Sequence, residues 1–218
     1  FLSFIWDKKK YLQTLEKNNI PIIPTVFVNV NQLNIKSLVT QIKQKKWKKF
    51  IIKPNGGTEK LGVGIFTISD SSILDDLSEY FQTNKTYYKE FLVQQSIDGF
   101  FKYGEIKSYW INGQFSYAVS IRDQNTGGDA IYDDLITVTE IINPKILSHC
   151  ESLGKRVMEV IPDVKYKKKS TIPVMVRIDF GCCLGNKAKT SANFFVNEIE
   201  HQDAGSLTNY EDVHYPYV

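Results

Sequence analysis

The sequence has 218 residues and a formal charge of +3, with 27 Lys and Arg against 24 Asp and Glu. A chain of this length can form one large domain or two smaller ones, each with a core of its own. Its 42% hydrophobic and 23% charged residues are typical of globular proteins and argue against a largely disordered chain. The small net charge gives no reason to expect a nucleic-acid partner.

The sequence contains neither a long apolar run nor a cysteine framework. No apolar run approaches the roughly 20 residues that cross a bilayer, and the first residues lead into charge without a cleavage pattern. The three cysteines, Cys150, Cys182 and Cys183, have the spacing of neither a disulfide framework nor a zinc site. We therefore expect a cytoplasmic protein with inert thiols and no membrane partner.

Two segments of the first half follow a helical period. Asp7 is a candidate N-cap for a helix that runs to about Lys17. Apolar residues at i, i+3, i+4 and i+7 predict a second helix over Ile35–Lys46. The other predicted elements are a helix near Ser72–Phe81 and strands at Thr25–Asn29, Phe50–Pro54, Val63–Ile68 and Phe91–Gln95. This order indicates a small α+β lobe.

The second half opens with Asn112-Gly113 between two β-rich runs, which is a strong hairpin signal. These residues favour a type I′ turn, in which both central residues have positive φ. With a two-residue loop, Ile111 is expected to face Gln114, and counting back along both strands places Lys107 opposite Ala118. That register predicts one sheet face that is shared by Glu105, Lys107, Ser120 and Arg122.

The remaining elements of the second half follow a loop that contains Gly127-Gly128. Apolar spacing predicts a helix near Lys145–Val160. Two more strands are predicted at Val174–Phe180 and Asn193–Glu200, with Gly185-Asn186 in their connection.

Glycines cluster after Pro54, in the segment KPNGGTEKLGVG at 53–64. Glycines such as Gly56 and Gly57 let backbone amides approach phosphate oxygens, and Lys53 on the adjoining strand can add a point charge. The segment is neither a Walker A motif nor GxGxxG. A hairpin loop that merely contains glycines therefore stays open as the alternative.

Carboxylates concentrate on the last two predicted strands. Glu198 and Glu200 are two residues apart and should point to one face, while Asp179 lies near the end of the preceding strand. Hairpin pairing would bring the three carboxylates together as oxygen ligands for Mg²⁺. Scattered acids on an exposed strand are the alternative, although Val176 and Ile178 mark these strands as core elements.

Two cations of the predicted hairpin, Lys107 and Arg122, could neutralise a phosphoryl group during its transfer. An exposed, charged sheet face is the alternative. The glycine segment, the acids and these cations are much less likely to occur together by chance than singly.

Taken in chain order, these segments resemble the ATP-grasp superfamily over nearly the whole chain. Asp7-Lys8 with IPIIPT at 20–25 is similar to the family's opening, and FIIKP at 50–54 is similar to its phosphate-binding lysine strand. LVQQSIDG at 92–99 resembles the hinge that receives adenine, and GEIK at 104–107 resembles the hairpin that follows. RIDF at 177–180 and NEIE at 197–200 resemble the strand pair whose acids hold two magnesium ions.

The resemblance implies an α+β fold with two lobes, at residues 1–95 and 96–218, that enclose a nucleotide cleft. It further implies a preceding substrate domain, which is expected to be absent or truncated here because the chain lacks an initiator Met. The nucleotide-binding residues by this analogy are Lys8, Lys53, Gly56 and Gly57 at the phosphates, Gln94, Gln95, Ser96 and Ile97 at the adenine, and Glu105 at the ribose.

The metal ligands by the same analogy are Asp179, Glu198 and Glu200, which would hold two Mg²⁺ ions for which Mn²⁺ can substitute. Arg122 and Lys107 would stabilise an acylphosphate. The sequence departs from the family's pattern at two positions. Lys107 replaces the usual arginine and loses bidentate geometry, and Glu200 replaces the usual asparagine. The Glu-x-Glu pattern resembles the branch that includes the D-cycloserine-forming ligase more than it resembles glutathione synthetase.

The expected activity is therefore an ATP- and Mg²⁺-dependent ligase that joins a small-molecule carboxylate to an amine, or to a thiol, through an acylphosphate. Two other readings stay open. One is an ATP-grasp kinase that phosphorylates a hydroxyl, and the other is a noncatalytic nucleotide-binding module. The sequence names neither substrate, and it leaves a homodimer open.

Overall fold

A computed structural model describes residues 1–57, 61–99, 104–123, 136–166, 169–181 and 194–201, together with 205 and 207. Its helices are α1 (Leu2–Trp6), α2 (Lys8–Lys17), α3 (Ile35–Gln44), α4 (Ile73–Asn84) and α5 (Pro144–Val160), with a 3₁₀ turn at Val30–Gln32. Strands β1 to β6 are Thr25–Asn29, Lys49–Pro54, Gly64–Thr67, Glu90–Gln95, Glu105–Ile111 and Gln114–Asp123. Strands β7 to β11 are Ile136–Glu140, Val164–Tyr166, Lys169–Thr171, Met175–Gly181 and Phe195–Glu200.

The elements predicted from hydrophobic spacing are found within a few residues of their expected bounds. Helix α2 begins where Asp7 accepts a hydrogen bond from the Lys10 backbone N–H at 3.0 Å, so the predicted N-cap is confirmed. Helix α1, strand β7 and the β8–β9 hairpin were not predicted. The expected turn at Gly185-Asn186 lies outside the described residues. No helix in the described ranges is long and apolar enough to cross a membrane.

Contacts divide the chain into two compact units. The N-terminal unit comprises Trp6–Lys10 and Ile23–Ser96, and the C-terminal unit comprises Phe1–Ile5, Tyr11–Ile22 and Ile97–Val218.

The N-terminal unit is built on an antiparallel sheet with the strand order β1-β4-β2-β3. Helices α3 and α4 pack on one face of this sheet, where Ile42 and Leu77 meet Phe50 and Ile52 in a single buried cluster. Alternation along the strands turns Lys53, whose partner across the sheet is Leu92, to the opposite face. The helices thus bury one face of the sheet and leave the lysine on the other.

The C-terminal unit is built on an antiparallel sheet with the order β11-β10-β5-β6-β7. One face is apolar, since Trp110 pairs with Val176 and both are buried. Helix α5 approaches this face closely, because a Cβ added at Gly154 would lie only 2.3 Å from a ring atom of Trp110. The helix packs against this apolar face. The other face carries ionisable residues together with a buried cluster of Tyr109, Tyr117, Val119 and Val138.

The hairpin between β5 and β6 has the predicted turn, with φ of +49° at Asn112 and +77° at Gly113. Ile111 pairs with Gln114, as expected. A bulge then inserts Ser116 into β6, between the partners of residues 109 and 110.

This bulge overturns the register that was expected further along the hairpin. Lys107 pairs with Val119 instead of Ala118, and Ser120 pairs with Ile106. Positions 119 and 121, and not 120 and 122, are therefore in phase with Glu105 and Lys107. The expectation that Ser120 and Arg122 share their face was wrong. Stacking of Tyr109 on Tyr117, with ring centroids 4.3 Å apart, stabilises the observed pairing.

Candidate active site

Three neighbouring strands of the C-terminal unit bring ionisable side chains to the polar face of the sheet. Asp179 on β10 pairs with Glu198 on one side and with Lys107 on the other. Arg177, two residues before Asp179, pairs with Glu200. Because directly opposed residues project to one side, a single surface results. We call it the charged face, and it comprises Glu105, Lys107, Arg177, Asp179, Glu198 and Glu200.

Asp179 lies at the centre of the charged face and is fully buried. Arg177 donates to it through two nitrogens, Nε to Oδ1 at 2.7 Å and Nη2 to Oδ2 at 2.9 Å. Lys107 Nζ donates to Oδ2 at 2.6 Å. Charge-assisted bonds of this kind are among the strongest in proteins. The buried carboxylate is thus compensated by two cations of the chain itself.

Glu105 extends this network along β5. Its Oε2 accepts a hydrogen bond from Lys107 Nζ at 2.8 Å, and its Oε1 accepts one from Asn197 Nδ2 at 2.6 Å. Asn197 is the extra residue of a bulge that lies opposite the step from Asp179 to Phe180. The bulge brings the amide onto the charged face. Neither Asn197 nor Arg177 was among the predicted site residues, although both fall within the motifs that resemble the family.

Both cations are held in their protonated form. Burial by itself lowers the pKa of Lys107, but the charges of Asp179 and Glu105 outweigh burial and raise it above its ordinary value. For Arg177, burial also lowers the pKa and the charge of Asp179 raises it further than burial lowers it. The charged face therefore keeps two positive charges among its carboxylates at neutral pH.

The predicted metal ligands fit magnesium in their chemistry and in their register. Asp179, Glu198 and Glu200 offer the carboxylate oxygens that Mg²⁺ prefers, and pairing of the two strands places Asp179 opposite Glu198. Among the described residues, however, no three His, Cys, Asp or Glu side chains are grouped closely enough to hold an ion as they stand. A metal ion at Oδ2 of Asp179 would compete with Lys107 and Arg177, which both donate to that oxygen.

The predicted phosphate-binding residues lie in the N-terminal unit. Lys53 is on β2, half-buried, and Lys8 is the first residue of α2. Gly56 has φ of +78°, and a Cβ there would lie 2.8 Å from Trp6 Nε1, whereas a Cβ at Gly57 would make only ordinary contacts. The tight turn thus requires glycine at Gly56 and not at Gly57. The predicted loop continues through 58–60, which are outside the described residues.

The glycine turn is tied to the start of α2 by Asn55. Asn55 Oδ1 accepts from the Lys9 backbone N–H at 3.0 Å, and Nδ2 donates to Asp7 Oδ1 at 2.8 Å. Nδ2 also lies 3.4 Å from Glu90 Oε2, and Glu90 in turn forms an ion pair with Lys9. These contacts fix the residue immediately before Gly56. Asn55 was not predicted as a site residue, because no sequence pattern indicated its partners.

Gln94 is buried, and its side-chain Nε2 donates to Thr25 Oγ1 at 3.1 Å. The Thr25 hydroxyl gives its own hydrogen to the Ile23 carbonyl at 2.7 Å, so it can only accept from Gln94. This fixes the orientation of the amide. Gln94 Oε1 is then a buried oxygen that has no hydrogen-bond partner among the described residues.

The other predicted adenine-binding residues follow Gln94 directly. The backbone N–H of Gln95 donates to Pro24 and that of Ser96 donates to Lys49, each at 3.0 Å. Ile97 is buried in the C-terminal unit. Position 122 is paired with Thr137 in the sheet, and the side chain of Arg122 lies outside the described part of the structure.

No protein-family model and no curated protein matches the chain. Solved structures do. One is a D-cycloserine synthetase, with 16% identity and a TM-score of 0.71, aligned over 97% of this chain and 67% of that one. Another is the D-alanine–D-alanine ligase of Bacillus anthracis complexed with ATP, with 19% identity, 90% and 54% coverage and a TM-score of 0.57. A third is D-alanyl-alanine synthetase A of Vibrio cholerae O1 biovar eltor, with 16% identity, 91% and 55% coverage and a TM-score of 0.63.

The chain spans between about half and two thirds of the length of these solved structures. Identities this low bear on the fold alone. The mixed helices and antiparallel sheets of both units agree with these neighbours. The chain therefore has the ATP-grasp fold, and the fold expected from the sequence is confirmed.

Proposed function

We propose that this chain carries the nucleotide-binding and catalytic part of an ATP- and Mg²⁺-dependent ligase that joins a small carboxylic acid to an amine. The observation that carries the proposal is the charged face, where buried Asp179 lies beside the cations of Lys107 and Arg177. Cations next to potential metal ligands are suited to binding phosphates. The similar solved structures, a D-cycloserine synthetase and a D-alanine–D-alanine ligase, support the same activity.

The adenine of ATP is proposed to lie against Gln94, Gln95, Ser96 and Ile97. The unpaired Oε1 of Gln94 supports this placement, because a buried carbonyl without a donor is destabilising and the exocyclic amine of adenine would satisfy it. Glu105 is proposed to accept a hydrogen bond from the ribose. Lys53, Lys8 and the amides around Gly56 and Gly57 are proposed to hold the phosphates. The two proposed lobes of the chain are residues 1–95 and 96–218.

Asp179, Glu198 and Glu200 are the residues that would hold Mg²⁺, one or two ions, with Mn²⁺ as a substitute. When bound, the metal would offset the charge of the phosphate oxygens.

The chain's own cations would act on the reacting groups. An oxygen of the substrate carboxylate attacks the γ-phosphorus of ATP, the bond to the bridging oxygen breaks, and ADP leaves. Lys107 and Arg177 would stabilise the negative charge of the acylphosphate. Arg122 is not assigned this role, because position 122 is out of phase with Lys107 in the sheet. The amine then attacks the acyl carbon, phosphate leaves, and the nitrogen loses a proton. A thiol could replace the amine. No covalent bond to the protein is needed, so the role of these residues is positioning and charge compensation.

The first test is calorimetric titration of the chain with Mg²⁺ and a nonhydrolysable ATP analogue. We expect Glu198→Ala to weaken binding strongly, because it removes one of the proposed metal ligands. Glu151→Ala, an exposed acid on α5, is the matched control and should bind like the unaltered chain. Absence of binding by the unaltered chain, or equal binding by both variants, would contradict the proposed site.

The second test is a screen of acids and amines for phosphate release from ATP. Release that requires both an acid and an amine supports a ligase. Formation of ADP without free phosphate would instead identify a kinase, and binding without any turnover would favour a nucleotide-binding module.

A further inference from the structure

Lys107 is an ammonium group enclosed by carboxylates. Its Nζ lies 2.6 Å from Asp179 Oδ2 and 2.8 Å from Glu105 Oε2. Its side chain is only 13% exposed, and that of Asp179 is 1% exposed. A cation therefore already occupies the carboxylate where the proposed metal would bind.

A divalent ion and this ammonium cannot share the Oδ2 atom at low cost. Mg²⁺ binds carboxylate oxygens at about 2.0–2.1 Å, so an ion on Oδ2 would lie within a few ångströms of Nζ. Repulsion between charges at that distance is strong where water is largely excluded. Binding of a divalent ion at this oxygen is therefore favoured when the ammonium leaves it.

Of the two cations on Asp179, Lys107 is the one that can leave. Arg177 holds both carboxylate oxygens through a planar fork, whereas Lys107 makes a single bond to one of them. The flexible lysine stem has a second anchor in Glu105, which Asn197 holds in place. Lys107 can therefore release Asp179 without leaving the charged face.

We propose that Lys107 is a resident cation that keeps free divalent metal off Asp179, and that a metal enters together with a nucleotide whose phosphate oxygens take over the ammonium. The second part rests on the proposed function. Because binding free energies are linked, the nucleotide must then strengthen metal binding by the same factor as the metal strengthens nucleotide binding. Lys107 thereby makes the two ligands bind as one unit.

The first arm of the test uses Mn²⁺ alone, followed by the electron paramagnetic resonance signal of the free ion. We expect weak binding to the unaltered chain and binding that is about tenfold tighter or more in Lys107→Met, because the competing charge is gone. Lys155→Met, which removes an exposed lysine of α5, is the matched control and should bind as weakly as the unaltered chain.

Equal Mn²⁺ affinity in Lys107→Met and the unaltered chain would overturn the resident cation. Lys107→Gln, which keeps a hydrogen-bond donor without the charge, should also bind Mn²⁺ more tightly. If circular dichroism shows that Lys107→Met is unfolded, the Mn²⁺ affinity of Lys107→Gln tests the resident cation instead.

The second arm repeats the titration with a nonhydrolysable ATP analogue. We expect the analogue to raise the Mn²⁺ affinity of the unaltered chain more than that of Lys107→Met. An equal rise in both would overturn the nucleotide part. If the unaltered chain binds no analogue at all, the proposed function and the nucleotide part both fail, while the first arm still decides the resident cation.

Discussion

The side-chain amide of Gln94 donates to the hydroxyl of Thr25 while that hydroxyl donates to the carbonyl of Ile23. These two hydrogen bonds fix the orientation of the Gln94 amide and leave its Oε1 buried without a donor among the described residues. Such an oxygen destabilises the folded chain by about 1–3 kcal/mol unless a ligand satisfies it.

Replacing Gln94 by Met should therefore separate stability from nucleotide binding. We expect little loss of stability, because the substitution removes an unsatisfied oxygen and Thr25 keeps its bond to Ile23. Binding of the ATP analogue should weaken by roughly tenfold, as for the loss of one hydrogen bond in a buried site. Calorimetry measures the affinity, and Gln41→Met, at an exposed position of α3, is the control. Unchanged affinity in Gln94→Met would remove Gln94 from the adenine site.

The two adjacent glycines of the turn make a matched pair. Gly56→Ala should destabilise the chain by about 1–2 kcal/mol, because an alanine is strained at positive φ. Gly57→Ala should leave stability nearly unchanged, since its φ is not positive and its Cβ would make ordinary contacts. Urea unfolding compares the two. If both variants are equally stable, the turn at Gly56 does not have the described conformation.

Lys107 should stabilise the folded chain by an amount that decreases at alkaline pH. Its folded pKa is raised above the ordinary value of 10.5, so this contribution is fully present below that pH. It is lost as the pH rises toward the folded pKa, because the unfolded chain then releases the proton first. The free energy of unfolding of Lys107→Met should accordingly fall less steeply above about pH 10.4 than that of the unaltered chain. Parallel curves for the two proteins would show that the ammonium is not held by Asp179 and Glu105.

Asn55 should stabilise the N-terminal unit. Asn55→Ala removes the side-chain bonds to Lys9 and Asp7 and should destabilise the chain by about 1–3 kcal/mol, measured by urea unfolding. It should also weaken binding of the ATP analogue, because the residue before Gly56 loses its anchor. Asn31→Ala, at an exposed position, serves as the control. A variant as stable as this control would argue that the bonds to α2 are not formed in solution.

The sequence was informative where short-range rules decide the structure. Asn112-Gly113 indicated the turn because positive φ at two successive residues favours such a pair. The common face of Glu198 and Glu200 followed from strict alternation along one strand. Helix faces such as that of Ile42 followed from a period of 3.6 residues.

The sequence was less informative where several strands act together. The bulge at Ser116 accompanies the stacking of Tyr109 on Tyr117, which no local pattern in the sequence indicates. The bond from Lys107 to Asp179 joins residues 72 positions apart and requires the pairing of two strands that are not consecutive. The bond between Asp179 and Lys107 therefore became visible only in the structure.

Gly154 lets α5 lie against Trp110 on the apolar side of the same strands that carry the charged face. With the helix set so close, Trp110 and Val176 are wedged between two rigid layers and have little room to shift. The charged face of β5 and β10 is then backed by a tightly packed layer, so the backbone of these strands should shift little when a charged side chain is replaced. A chain of this fold that is backed in this way is a convenient template for introducing other charge patterns and comparing their selectivity for phosphates and metals.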